Sequence, residues 1–131
     1  GILPMYGNIY KNYTGSLEIE NILNKQNFLK YNFLFYPAQF WAHKNHYNLL
    51  LALHKLNNEG NDYKIVFTGS DKGNLNYVKN LVVELELENN VLFLGFISNE
   101  EIQYLYKNAF ALIMPTFSRA ISNTVGPAYS V

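Results

Sequence analysis

At 131 residues the chain has room for one hydrophobic core and too few residues for two domains. Its 49% hydrophobic, 16% aromatic and 15% charged content marks a globular protein whose core is built largely from Phe and Tyr. Ten basic residues balance ten acidic ones without a basic stripe, which argues against a nucleic-acid partner, and the lack of cysteine excludes disulfides and thiolate metal sites.

No apolar run approaches the ~18 residues of a membrane span. A cytoplasmic location fits, peripheral to a membrane if the longer protein is membrane-associated. The opening GILPMYGNIYKNY lacks a basic-then-apolar signal pattern and starts without methionine, so the chain reads as a piece of something longer. Residues 1–32 read as a linker or arm rich in Gly, Asn and Tyr. Within them residues 17–24 suit a short helix, with Ser16 as cap and Glu18 and Glu20 in the first turn, where the helix dipole favours them.

The stretch FLFYPAQFWAHKNHYNLLLAL organises the remainder. Its unbroken apolar start predicts a buried strand over residues 33–40, whose interior ends near Pro37 because proline cannot donate to a sheet ladder. A helix over residues 45–58 follows, with Leu49, Leu50, Leu53 and Leu56 at helical spacing and Gly60 at its stop. KIVFTG is the second strand, and SDKGN is the loop at its carboxyl end. Residues 75–87 form the next helix, with Val78, Leu81, Val82 and Leu85 on one face; Glu84, Glu86, Glu88 and Asn89-Asn90 end it in solvent. VLFLGF is the third strand. Ser98-Asn99-Glu100-Glu101 is a capping box that opens a helix with Ile102, Leu105, Tyr106 and Ala109 as its buried stripe. Residues 111–114 make a fourth strand, closed by Pro115-Thr116. Strands that alternate with helices predict an α/β, Rossmann-like parallel sheet with helices on both faces.

Ligands of such sheets bind beyond the carboxyl ends of the strands. Polar and aromatic residues there, ahead of a leucine-rich helix, suggest an anion site, since helix N-termini present unpaired N–H groups. Lys44 is either a phosphate ligand or a solvated lysine. His43 and His46 suggest a metal pair only weakly, because no nearby carboxylate completes it. Hydrogen bonding at the helix start, or surface exposure, is the better reading. Trp41 reads as a packing residue. TGSDKGN contains neither GxGxxG nor GxxxxGK[ST], so neither a dinucleotide site nor a P-loop is supported. The aspartate that a phosphoacceptor receiver domain needs after its first strands is missing from residues 36–39.

Three segments, FLFYPAQFWAHKNHYNLLLAL, KIVFTGSDKGNLNYV and NVLFLGFISNEEIQYLYKNAFALIMPT, resemble in order and spacing the C-terminal, nucleotide-sugar-binding domain of family 4 glycosyltransferases, the group 1 GT-B type. The resemblance spans residues 33–116, leaving 117–131 as a divergent tail. It implies sugar transfer from a nucleotide-diphosphate donor to a glycan or lipid-linked acceptor, with retention, in polysaccharide biosynthesis. No cofactor or metal is implied; the acceptor half would be a missing N-terminal domain. The family holds the diphosphate with an arginine and, five residues on, a lysine. Lys44 matches the lysine, with Asn45 beside it. Gln39 stands at the arginine position and lacks the charged fork. Gly69 belongs to the second loop, and Gly95, Phe96 and Ile97 match the segment that lies along the base. The family's pair of donor-binding glutamates has no counterpart, because the last carboxylate side chain is Glu101. The resemblance therefore implies a domain cut before that pair, and for this chain alone the rival reading is a non-catalytic nucleotide-binding or structural remnant.

Overall fold

A computed structural model describes residues 16–41 and 45–114. The described residues form α1 (Ser16–Lys25), β1 (Leu34–Pro37), α2 (His46–Asn58), β2 (Ile65–Thr68), α3 (Leu75–Glu84), β3 (Val91–Gly95), α4 (Asn99–Asn108) and β4 (Ala111–Leu112). The strands make one sheet in the order β3-β2-β1-β4, and every pair is parallel. This is the predicted α/β Rossmann-like arrangement.

The unbroken apolar strands are explained by burial on both faces. Tyr36, Ile65, Phe67, Val91 and Phe93 pack under α2 and α3, against Leu49, Leu50, Leu53, Val78, Leu81 and Val82. Phe35, Val66, Leu92 and Leu94 point the other way, onto Ile19 and Leu23 of α1 and Leu105 of α4. Residues 16–32, read from sequence as part of an arm, thus supply a packed layer, with Phe28 also buried. Among the described residues no helix is long and apolar enough to cross a membrane.

Three helices end in the same way. After α2, Gly60 takes φ +103 and its N–H donates to Asn57 O, while Asn61 N–H donates to Leu56 O. Asn27 (φ +66) repeats this after α1, and Glu86 (φ +57) after α3. Each is a left-handed residue that lets the next turn back toward the sheet. Glu86 explains why α3 stops at Glu84 and not at residue 87: the turn carries Leu87 into the core, its N–H bonded to Val82 O at 2.9 Å.

Other boundaries differ from expectation. β1 ends at Pro37, and Phe40 makes only an isolated parallel bridge with Asp71. β4 has two residues, although Ile113 N–H still donates to Phe35 O at 2.8 Å. Tyr106 lies at the margin of its helix's buried stripe, exposed but edge-on to Phe35 at 5.5 Å. Pro115, Thr116, the tail over 117–131 and the arm over 1–15 lie outside the described residues.

Candidate functional site

The last residues of β1, β2 and β3 are Pro37, Thr68 and Gly95, and the loops leaving them enclose a cleft of about 370 Å³. Five of the predicted site residues line it: Gln39, Gly69, Gly95, Phe96 and Ile97. Gly69 is the closure. It takes φ +118, and a Cβ there would stand 2.6 Å from Ala38 O and 2.8 Å from Ala38 C. Only glycine lets the loops after β1 and β2 approach so closely. Its N–H donates to Gly95 O at 2.9 Å, tying in the third loop. The register slips there, Phe67 pairing with Phe93 but Thr68 with Gly95, so that Leu94 is an extra residue. Such bulges re-aim the residues that follow. Here Ile97 is buried, while Phe96 stands 76% exposed beside the cleft.

The first two loops are also laced together through Phe40. Its N–H donates to Ser70 O at 2.9 Å, and its carbonyl accepts from the N–H groups of Lys72 and Asn74, both at 3.2 Å. The Phe40 ring stacks on His46 at 4.3 Å, and Tyr36 and Phe67 meet the imidazole edge-on at 5.1 and 5.0 Å. His46 is 0% exposed, which corrects its reading as a surface residue of the helix start. It anchors the head of α2 to β1 and β2 inside a cage of rings. His43 lies outside the described residues, among which no three metal-ligating side chains cluster.

Trp41 is also corrected, from a packing residue to one 39% exposed. Its Nε1–H donates to Gln39 Oε1 at 2.9 Å. An indole N–H can only donate, so this bond fixes which way the amide faces and leaves the Gln39 Nε2 donors for a ligand. Asn45 precedes α2 without lining the cleft; its Oδ1 accepts from Asn48 Nδ2 at 3.2 Å, and its own buried Nδ2 has no hydrogen-bond partner among the described residues. Lys44 lies outside the described residues.

One contributor was not singled out in the sequence. Asp71 Oδ1 accepts from Gly73 N–H at 2.8 Å and Leu75 N–H at 3.1 Å, satisfying the start of α3, where the N-cap Asn74 makes no side-chain bond. These backbone bonds, that from Gly73 foremost, hold its carboxyl below the ordinary aspartate value. The spacing from Asp71 to the helix start was the available signal. The predicted capping box of α4 is present: Ser98 N–H donates to Glu101 Oε1 at 2.8 Å, and Glu101 N–H to Ser98 Oγ at 3.2 Å.

A larger groove, about 490 Å³, opens at the amino edge of the sheet and contains none of the predicted residues. Position outweighs size here, because parallel sheets bind ligands at their carboxyl ends.

The family model described as glycosyl transferases group 1 matches residues 18–123. The chain belongs to the group 1 glycosyl transferases. A glycosyltransferase from Rickettsia africae ESF-5, known from its crystal structure, matches with TM-score 0.57 and 23% identity over 76% of this chain. That likeness speaks for the fold. This group 1 chain spans about a quarter of the solved one, 26% of its length. Comparison with curated proteins gives no match. The group 1 match covers the cleft from end to end, including all seven residues predicted to bind the donor.

Proposed function

We propose that this chain is the donor-binding part of a retaining, GT-B-type glycosyltransferase of family 4, and that its cleft takes a nucleoside-diphosphate sugar. The observation that carries this is the convergence of Gln39, Gly69, Gly95, Phe96 and Ile97 on one cleft at the carboxyl edge. The base would lie along residues 95–97. The diphosphate would lie between Gln39 Nε2 and the head of α2, where Lys44 and the helix's unpaired N–H groups oppose its charge. As the bond from the anomeric carbon to the diphosphate oxygen breaks, these groups stabilise the negative charge gathering on the leaving group. An acceptor hydroxyl, on a glycan or lipid-linked molecule held by a domain outside this chain, then forms the new bond on the same face of the sugar.

A second reading is favoured by one observation: the chain spans 26% of the length of the solved glycosyltransferase it matches. On that reading these residues bind nucleotide and do no chemistry alone. Catalysis between two substrates depends heavily on positioning the acceptor. Incubation with a panel of nucleotide sugars and glycan acceptors is therefore expected to release no nucleoside diphosphate; turnover lost on Lys44→Ala would make this short chain an enzyme.

The donor site is tested by calorimetry with UDP, GDP and ADP. At least one should bind, and Lys44→Ala should weaken it by roughly 1–3 kcal/mol, as for a charge-assisted hydrogen bond. His43→Ala should matter less, and added zinc should change neither result. Binding unaffected by Lys44→Ala would place the diphosphate elsewhere.

A further inference from the structure

The groove at the amino edge is walled by the turn after α1, the start of β1, the segment before β2, and Phe110 ahead of β4. Three aromatic rings stand open around it: Phe110 is 67% exposed, Tyr31 61% and Tyr63 40%. Its two charged residues, Asp62 and Lys64, sit 3.7 Å apart and neutralise each other. The side-chain amides of Asn27 and Asn32, which also line it, are not engaged by any hydrogen bond among the described residues.

The groove is held in shape. Tyr63 N–H donates to Asn57 Oδ1 at 2.8 Å, and its carbonyl accepts from Asn57 Nδ2 at 3.2 Å and Asn90 Nδ2 at 2.9 Å. Asn90 Nδ2 also reaches Asp62 Oδ1 at 2.9 Å. Tyr31 is more telling. It takes φ +64, a conformation that a Cβ disfavours, with its N–H bonded to Asn108 O at 2.7 Å. A mostly exposed ring recovers little of that cost by packing. Strain held at an exposed side chain beside a cavity points to a binding role.

The chemistry selects the ligand. A neutral groove with one cation already paired suits neither phosphate nor a nucleotide. Unengaged amides make it a poor seat for a purely apolar chain, since covering them would leave them unbonded. Open aromatic faces beside amides suit sugar rings, whose C–H faces stack on the rings while their hydroxyls exchange hydrogen bonds with the amides. We propose that this groove binds a short neutral oligosaccharide, at the edge of the sheet opposite the donor cleft. The inference does not rest on the donor reading, and the two sites report through different residues.

The test is amide-resolved NMR on the whole chain, with maltohexaose, cellohexaose, laminarihexaose and chitohexaose each at millimolar concentration. At least one is expected to shift the amides of Tyr31, Asn32, Tyr63 and Phe110 and to leave Gly69 and Gly95 in place. Tyr31→Gly removes the ring and relieves the backbone, so binding should fall by about tenfold or more while Tm rises, a pairing that a structural role would not give. Phe110→Ser, at an exposed position, should weaken binding without unfolding the chain. The proposal is overturned if no sugar moves those amides, if the shifts fall on the donor cleft, or if Tyr31→Gly binds as well as the parent. It is equally overturned if the groove signals change only with protein concentration, which would mark a contact between copies.

Discussion

Replacing Gly69 by alanine should damage this protein far more than one methyl group suggests. Two costs add. At φ +118 an L side chain is strained, at about 1–3 kcal/mol. The new Cβ would also stand 2.6 Å from Ala38 O, 2.8 Å from Ala38 C and 3.0 Å from Gln39 N, all backbone atoms that cannot rotate away. Overpacking of that kind costs about 1–3 kcal/mol more. The sum, about 2–6 kcal/mol, is a large fraction of a domain's stability and should lower Tm by roughly 6–24 °C. Gly73 is the internal control: it takes φ +107 but has nothing within 4 Å of its added Cβ, so Gly73→Ala should show the strain alone. Thermal and urea unfolding of both variants, with UDP binding measured on the folded protein, separates the two terms. Gly69→Ala should be the less stable and should bind more weakly, because relief of the clash displaces Gln39. Equal losses in the two variants would refute the close approach of the first two loops.

Glu86→Gly should stabilise the protein by roughly 1 kcal/mol in urea unfolding, since a left-handed residue without a Cβ escapes the penalty of φ +57; no gain would mean that Glu86 makes a compensating interaction. Asp71 titrates below its unfolded value of about 3.9, so its contribution is present above that pH and fades as pH falls through the folded value. The Tm gap between Asp71→Asn and the parent should therefore be greatest near neutrality and shrink in acid; a gap independent of pH would remove the charge from the explanation. Gln39→Arg would add a charged fork at the proposed diphosphate site and should tighten nucleoside-diphosphate binding in calorimetry by roughly 1–2 kcal/mol, with the gain reduced at high salt. A weaker complex would mean that the amide held by Trp41 is the better donor.

What the sequence disclosed follows the range over which each signal acts. The capping box at Ser98 and Glu101 is written within four consecutive residues, and it formed as read. Parallel order was legible because strands buried on both faces must be apolar throughout, and Phe35 and Tyr36 do face opposite layers. The cage around His46 was not legible, since Phe67 comes from a second strand that only the fold brings against Tyr36 and Phe40. Gly69 was visible as a glycine in a loop, but the reason for it is the backbone of Ala38. The left-handed Asn27 and Glu86 escaped notice because only Gly60 carried the usual residue for that geometry. The gathering of five predicted donor-binding residues was recoverable because each lies at or just after a strand end, and parallel strands deliver those ends to one edge.

On the proposed function, a nucleoside diphosphate occupies the carboxyl-edge cleft. The most direct measurement is amide-resolved NMR of the isotopically labelled chain during titration with UDP-glucose and GDP-mannose. At least one donor should shift Gln39, Gly69, Gly95, Phe96 and Ile97 together, along one saturation curve, with the amino-edge residues Tyr31 and Phe110 unmoved. Shifts confined to the amino edge, or no shifts with either donor at millimolar concentration, would contradict it.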